Sequence, residues 1–127
     1  MTSLKVLVID DERPALDELT FLLGRDPRIG EVMGSDSATE ALRVLQAEEV
    51  DAVFLDIQMP GLDGIELASV LARFKHPPAV VFVTAHEKHA VEAFELDAVD
   101  YVLKPVRQER IAEAVRRVLG GVRADSP

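Results

Sequence analysis

Five short apolar runs, separated by segments of helical periodicity, constrain this chain more than any other feature. The runs are Lys5–Ile9, Gly30–Gly34, Ala52–Leu55, Ala79–Val83 and Val99–Leu103. Four of them are rich in Val, Leu, Ile and Phe without polar alternation, the pattern of strands covered on both faces. The second, built on Val32 and Met33, has the weakest pattern. Between them, Leu16, Leu19, Leu22 and Leu23 fall on one helical face, as do Ala38, Ala41, Leu42 and Leu45. Ser37 followed by Glu40 predicts a capping box at the start of that second helix. Ile65, Ala68, Leu71 and Ala72 mark a third helix, stopped before Pro77 and Pro78, and Ala90, Val91 and Phe94 a short fourth. Ile111, Ala114, Val115, Val118 and Leu119 mark a fifth, which Gly120 and Gly121 are expected to end. Strand and helix alternate throughout, and right-handed crossovers then impose an α/β, doubly wound parallel sheet of five strands with five helices on its two faces.

The 127 residues suit one domain, residues 1–119, followed by a linker or flexible tail at 120–127 (GGVRADSP), expected to be cut before an output domain. Net charge is −9, from 23 acids against 14 bases, and no Lys/Arg patch exists to follow a phosphate backbone. Arg110, Arg116 and Arg117 read as the solvated face of the last helix. Nucleic acid binding by these residues alone is therefore not expected. The chain has no cysteine, which fits a reducing compartment, and its N-terminal MTSLKVLVIDDE is no signal peptide. With no apolar stretch long enough to span a bilayer, the expected location is the cytoplasm, away from the membrane.

Binding sites in doubly wound sheets lie beyond the carboxyl ends of the strands. Here those ends carry Asp10, Asp11 and Glu12 after the first run, Asp56 after the third, Thr84 after the fourth and Lys104 after the fifth. Carboxylates gathered on one rim repel and need compensation, which a hard divalent cation such as Mg2+ supplies best through oxygen ligands and retained waters. A carboxylate, a metal and an ammonium together suit a phosphoryl group, with the carboxylate as nucleophile and Thr84 and Lys104 on the phosphoryl oxygens. Taken singly these residues are unremarkable: Asp26, Asp36 and Asp97 read as helix caps or solvated acids, and a lone lysine before Pro105 as a solvated strand end.

The four motifs VLVIDDE (Val6–Glu12), DIQMPGLDG (Asp56–Gly64), FVTA (Phe82–Ala85) and DYVLKP (Asp100–Pro105), in this order and spacing, give a resemblance to the receiver domain of bacterial two-component response regulators. It covers nearly the whole chain, from Lys5 to about Leu119. The resemblance implies a flavodoxin-like strand order 2-1-3-4-5. It implies Asp56 as phosphoacceptor from the phosphohistidine of a sensor histidine kinase. It implies Mg2+ held by Asp11 and Asp56, by Asp10 through water and by the Gln58 carbonyl. Thr84 and Lys104 would hold the phosphoryl oxygens, Tyr101 would be the aromatic that follows Thr84, and the Lys104–Pro105 bond would be cis, aiming the ammonium inward. Self-phosphorylation from a donor and slow self-dephosphorylation are expected rather than conventional turnover. The switched surface, formed by the fourth helix, fifth strand and fifth helix, would pair two copies on phosphorylation. Ala85–Pro105 resembles receivers of the LytR/AlgR class, which usually precede a LytTR-type DNA-binding domain, so DNA contact is expected only through such a domain.

The remaining candidates are weaker. His76 reads as a solvated loop residue, and His86 and His89 lack a third metal ligand, with His86 bordering the mouth of the site. Gln58 can either screen an acyl phosphate or orient attacking water. Gly61 and Gly64 suggest backbone geometry barred to larger residues. An aspartyl phosphatase would want a second Asp where Glu12 stands, and a flavin module would place its phosphate against Asp10, Asp11 and Glu12. The alternative that retains more weight is a receiver-like binding or scaffold domain without phosphorylation.

Overall fold

The computed structural model describes residues 3–124, with side chains through residue 120. Its elements are β1 (Leu4–Ile9), α1 (Arg13–Gly24), β2 (Ile29–Ser35), α2 (Ala38–Ala47), β3 (Ala52–Leu55), α3 (Gly64–Leu71), β4 (Ala79–Thr84), α4 (Ala90–Glu95), β5 (Asp100–Leu103) and α5 (Gln108–Ala124). All four strand pairings are parallel, and the sheet order is β2-β1-β3-β4-β5. This is the doubly wound, flavodoxin-like order that the alternation and the resemblance imply. Among the described residues, no helix is long and apolar enough to cross a membrane.

The absence of polar alternation in the strands has a direct cause. Val6, Val8, Phe54, Val81 and Val83 enter a core with Leu16, Leu19 and Leu23 of α1 and Ile111, Val115 and Val118 of α5. Their immediate neighbours Leu7, Ile9, Val53, Leu55 and Phe82 enter the opposite core, beneath α2, α3 and α4. The twofold period of the strand survives, but both of its faces are dry. β2 lies at the sheet edge with six of its seven residues exposed or half-buried, which is why its pattern is weak.

Helix ends depart from expectation in three places. Ser37 caps α2 by accepting from the Glu40 amide at 3.0 Å, but the return bond from the Glu40 side chain is not made. The complete capping box belongs to α3, where Asp63 Oδ1 accepts from the Glu66 amide at 2.9 Å and Glu66 Oε1 from the Asp63 amide at 3.0 Å. α5 does not stop at Gly120 and Gly121 but continues to Ala124. Glycine inside a helix costs about 1 kcal/mol and ends it only where a left-handed residue is required. Residues 125–127, the end of the segment read as a tail, lie outside the described residues.

Candidate functional site

The strand ladders continue one residue past the strand ends and thereby fix the rim. The Asp56 amide donates to the Ile9 carbonyl at 3.1 Å, and the Lys104 amide to the Thr84 carbonyl at 2.8 Å. Asp10, Asp56, Thr84 and Lys104 are thus held by their main chains in adjacent positions at one end of the sheet. The Lys104–Pro105 bond is cis.

Asp10 and Asp56 share a single ammonium. Lys104 Nζ donates to Asp10 Oδ2 at 2.8 Å and to Asp56 Oδ2 at 3.0 Å. The second oxygen of each carboxylate accepts from its own loop: Asp10 Oδ1 from the Glu12 amide at 2.9 Å, and Asp56 Oδ1 from the Gln58 amide at 3.4 Å. Both aspartates are buried, with side chains 3% and 9% exposed, while Lys104 keeps 21%. Burial by itself would lower the Lys104 pKa, but hydrogen bonds and charge attraction from Asp10 and Asp56 outweigh it and raise it above its ordinary value. Two carboxylates against one ammonium leave a negative charge uncompensated at the rim.

The site has a second part, built on main chain. Thr84 is fully buried, and its Oγ1 accepts from the His86 amide at 3.4 Å. The His86 carbonyl in turn accepts from the Tyr101 hydroxyl, while the Tyr101 ring packs tilted against Phe82 with centroids 6.2 Å apart. His86 therefore links Thr84 to Tyr101 through its backbone, and its side chain points to solvent. Burial, the largest influence on the Tyr101 hydroxyl, raises its pKa.

The predicted residues do not all converge. Asp11 is exposed and makes no hydrogen bond or ion pair to Asp10, Asp56 or Lys104 among the described residues. Gln58 is exposed, with only its amide turned to Asp56. Among the described residues, no group of three acids or histidines is arranged to hold a metal, the His86–His89 pair included. His89 instead meets Glu92, Nδ1 to Oε1, at 2.9 Å. The donor set nonetheless fits Mg2+, which characteristically takes one or two carboxylates and keeps its waters. Asp10 and Asp56 already converge on one cationic centre.

Glycines shape the loop after Asp56. Gly61 has φ +78°, a left-handed conformation that side chains resist. Gly64 is required for a different reason: a Cβ there would lie 2.2 Å from the Asp56 carbonyl oxygen and 2.7 Å from the Ile57 Cα. The start of α3 is pressed directly against the backbone that carries Asp56, and the Gly64 amide donates to the Ile57 carbonyl at 2.8 Å.

Two acids and an arginine pair took places that sequence reasoning did not assign. Asp26 is buried and bound by Arg28 through Nε at 2.9 Å and Nη2 at 2.7 Å, which depresses its pKa. Asp97 is exposed, as the sequence suggests, and at φ +59° forms the left-handed turn after α4. Arg116 and Arg117 are exposed, as expected of a solvated face, but Arg117 and the half-buried Arg110 also pair with the buried Asp100.

Comparison with known proteins agrees with this architecture. Residues 6–116 match the family model described as the response regulator receiver domain. The chain is 46% identical over 114 residues to the sensory transduction protein LytT of Bacillus anthracis, covering 90% of this chain and 46% of that protein. It is 44% identical over 115 residues to the transcriptional regulatory protein LytR of Staphylococcus aureus strain N315, covering 91% and 47%. The chain thus spans about half the length of the curated relatives it matches. Among solved structures, the response regulatory domain of mrkE from Klebsiella pneumoniae superposes with TM-score 0.86 at 40% identity, covering 95% of this chain and 99% of that one. The response regulator protein TrrA of Thermotoga maritima, solved in complex with Mg2+-BeF, superposes with TM-score 0.81 at 27% identity, covering 93% and 99%. The family match over most of the chain, the strand order and the lysine-bridged aspartates at the strand ends have one common explanation: this chain belongs to the response regulator receiver domain family.

Proposed function

We propose that the domain is a phosphorylation switch in which Asp56 accepts a phosphoryl group from the phosphohistidine of a sensor histidine kinase. The observation that carries this is the Lys104 ammonium shared between Asp10 and Asp56 at the ends of parallel strands. Asp56 Oδ2 attacks phosphorus as the P–N bond breaks, and the departing imidazole nitrogen takes the bonding electron pair. Lys104 already touches that carboxylate, so a short displacement moves its charge onto a phosphoryl oxygen. Thr84 supplies a hydroxyl to another. Mg2+, held by Asp56 with Asp10, Asp11 and the Gln58 carbonyl, would neutralise the transferring oxygens; the Mg2+-BeF complex of the Thermotoga relative supports that assignment.

Movement of Thr84 toward the phosphoryl group reaches Tyr101 through the His86 main chain. The outlet is the surface of α4, β5 and α5. Of five large apolar residues exposed among the described residues, Val91, Phe94 and Leu103 lie on α4 and β5, which favours pairing of two copies there after phosphorylation. The similarity to the transcriptional regulatory protein LytR supports a transcriptional output.

Tyr101 is the single tyrosine and the chain has no tryptophan, so intrinsic fluorescence reports this residue alone. Beryllofluoride with Mg2+ is expected to change it, and Asp56→Asn to abolish the change. An unchanged signal in the parent chain, with beryllofluoride bound, would contradict the switch.

A further inference from the structure

Asp100 opens β5 with a carboxylate that is almost entirely removed from solvent, its side chain 2% exposed. Two arginines of α5 and one amide saturate it. Arg110 grips both oxygens, Nη1 to Oδ2 and Nη2 to Oδ1, each at 2.7 Å. Arg117 Nη1 reaches Oδ1 at 2.9 Å, and the Tyr101 amide reaches the same oxygen at 2.8 Å. Arg110 Nη2 also donates to the Tyr101 carbonyl at 3.2 Å. Glu113 lies on the outer side of the cluster, 3.4 Å from Arg117 Nε.

Among the described residues, α5 otherwise packs on the strands through the apolar Ile111, Ala114, Val115 and Val118, while Gln108 and Arg28 tie it to α1 and to the segment before β2, not to β5. Apolar burial resists separation but has little directionality, so alone it tolerates small slides of a helix across a sheet. A forked guanidinium on a carboxylate does not. The cluster therefore fixes the register of α5 against β5. It does so at the residue adjoining Tyr101 and on the strand that leads directly into Lys104.

We propose that Asp100 is a positioning residue that transmits displacement of β5 into α5, so that rearrangement at Tyr101 and Lys104 moves the α5 surface instead of dissipating in side-chain repacking. The proposal rests on the phosphorylation switch described above. It assigns to Arg110 and Arg117 the role of receiving that displacement.

Amide NMR spectra of the domain, recorded with and without Mg2+ and beryllofluoride, test it. In the parent, amides of Thr84, Tyr101 and α5 are expected to shift together. In Asp100→Asn, and in Arg110→Lys and Arg117→Gln, the Thr84 and Tyr101 shifts are expected to persist. The α5 shifts should shrink by roughly threefold or more, the scale at which single residues modulate coupling. Arg110→Lys keeps the charge and loses the fork, and both arginine variants decide the matter if Asp100→Asn does not fold. A full α5 response in the folded variants, even with a lowered melting temperature, would overturn the proposal and leave the cluster a purely structural tie. Silence at Thr84 and Tyr101 in the parent would instead overturn the switch itself.

Discussion

Lys104 Nζ stands 3.0 Å from Asp56 Oδ2 and holds that oxygen in an ion pair shared with Asp10. In the proposed switch, the oxygen that would attack phosphorus is thus already attended by the positive charge its product needs. Removing the ammonium by Lys104→Met leaves two buried carboxylates facing each other. The variant is expected to lose roughly 1–2 kcal/mol of stability at neutral pH and low salt. Mg2+ should restore more stability to it than to the parent, by mass action on the folded state. Thermal melts with and without Mg2+ check this, and an equal Mg2+ response in both proteins would contradict it.

Gly64 has no room for a side chain. Gly64→Ala drives a methyl against the Asp56 carbonyl and the Ile57 Cα, both backbone, and is expected to cost about 3 kcal/mol. Gly24, where an added Cβ meets nothing, is the control: Gly24→Ala should be neutral or stabilising by up to about 1 kcal/mol. Urea denaturation of the two variants measures the contrast.

The Asp63–Glu66 box fastens the start of α3 immediately after the Asp56 loop. Asp63→Ala is expected to destabilise the domain by about 1 kcal/mol and to speed amide exchange in the first turn of α3. Glu40→Ala should cost less than Asp63→Ala, because the Glu40 side chain completes no box on α2.

The Asp100 cluster also predicts a pH dependence. Burial pushes the Asp100 pKa up, but Arg110, the Tyr101 amide and Arg117 together bring it below its ordinary value. A carboxyl whose folded pKa is depressed contributes stability above its unfolded pKa of about 3.9 and loses it as pH falls through the folded value. Asp100→Asn is therefore expected to be less stable than the parent at pH 7, by roughly 1–3 kcal/mol, with the gap closing below about pH 4. Asp26, depressed by Arg28, is present in both proteins and drops out of the difference. A gap that stays constant down to pH 3 would contradict this assignment.

The fold was legible because its strands are buried on both faces. Ala52–Leu55 is continuous, bounded by acids, and matches β3 residue for residue. The rim residues were legible because parallel strands bring their carboxyl ends together, whatever the loops do. What escaped depends on side chains meeting across elements. Asp100 and Arg110 pair across the β5–α5 contact, and nothing local in DYVLKP marks its first acid as buried. Asp26 is buried by Arg28, which also reaches the Ala112 carbonyl on α5 at 3.1 Å, a contact far away in sequence. The link through His86 is made by backbone atoms, which carry no sequence signal. The α3 box is a different case, since Asp63 and Glu66 have the cap spacing that was recognised at Ser37 and Glu40.

Phosphorylation of Asp56 is a covalent change, and intact mass tests it most directly. Incubation with Mg2+ and a small-molecule phosphodonor should add one phosphoryl group to the parent chain, with no gain when the metal is chelated beforehand and none in Asp56→Asn. A mass unchanged under these conditions and also after exposure to a phosphorylated histidine kinase, or a phosphoryl that persists in Asp56→Asn, would contradict the switch. The first of those results would favour a domain that signals by binding alone.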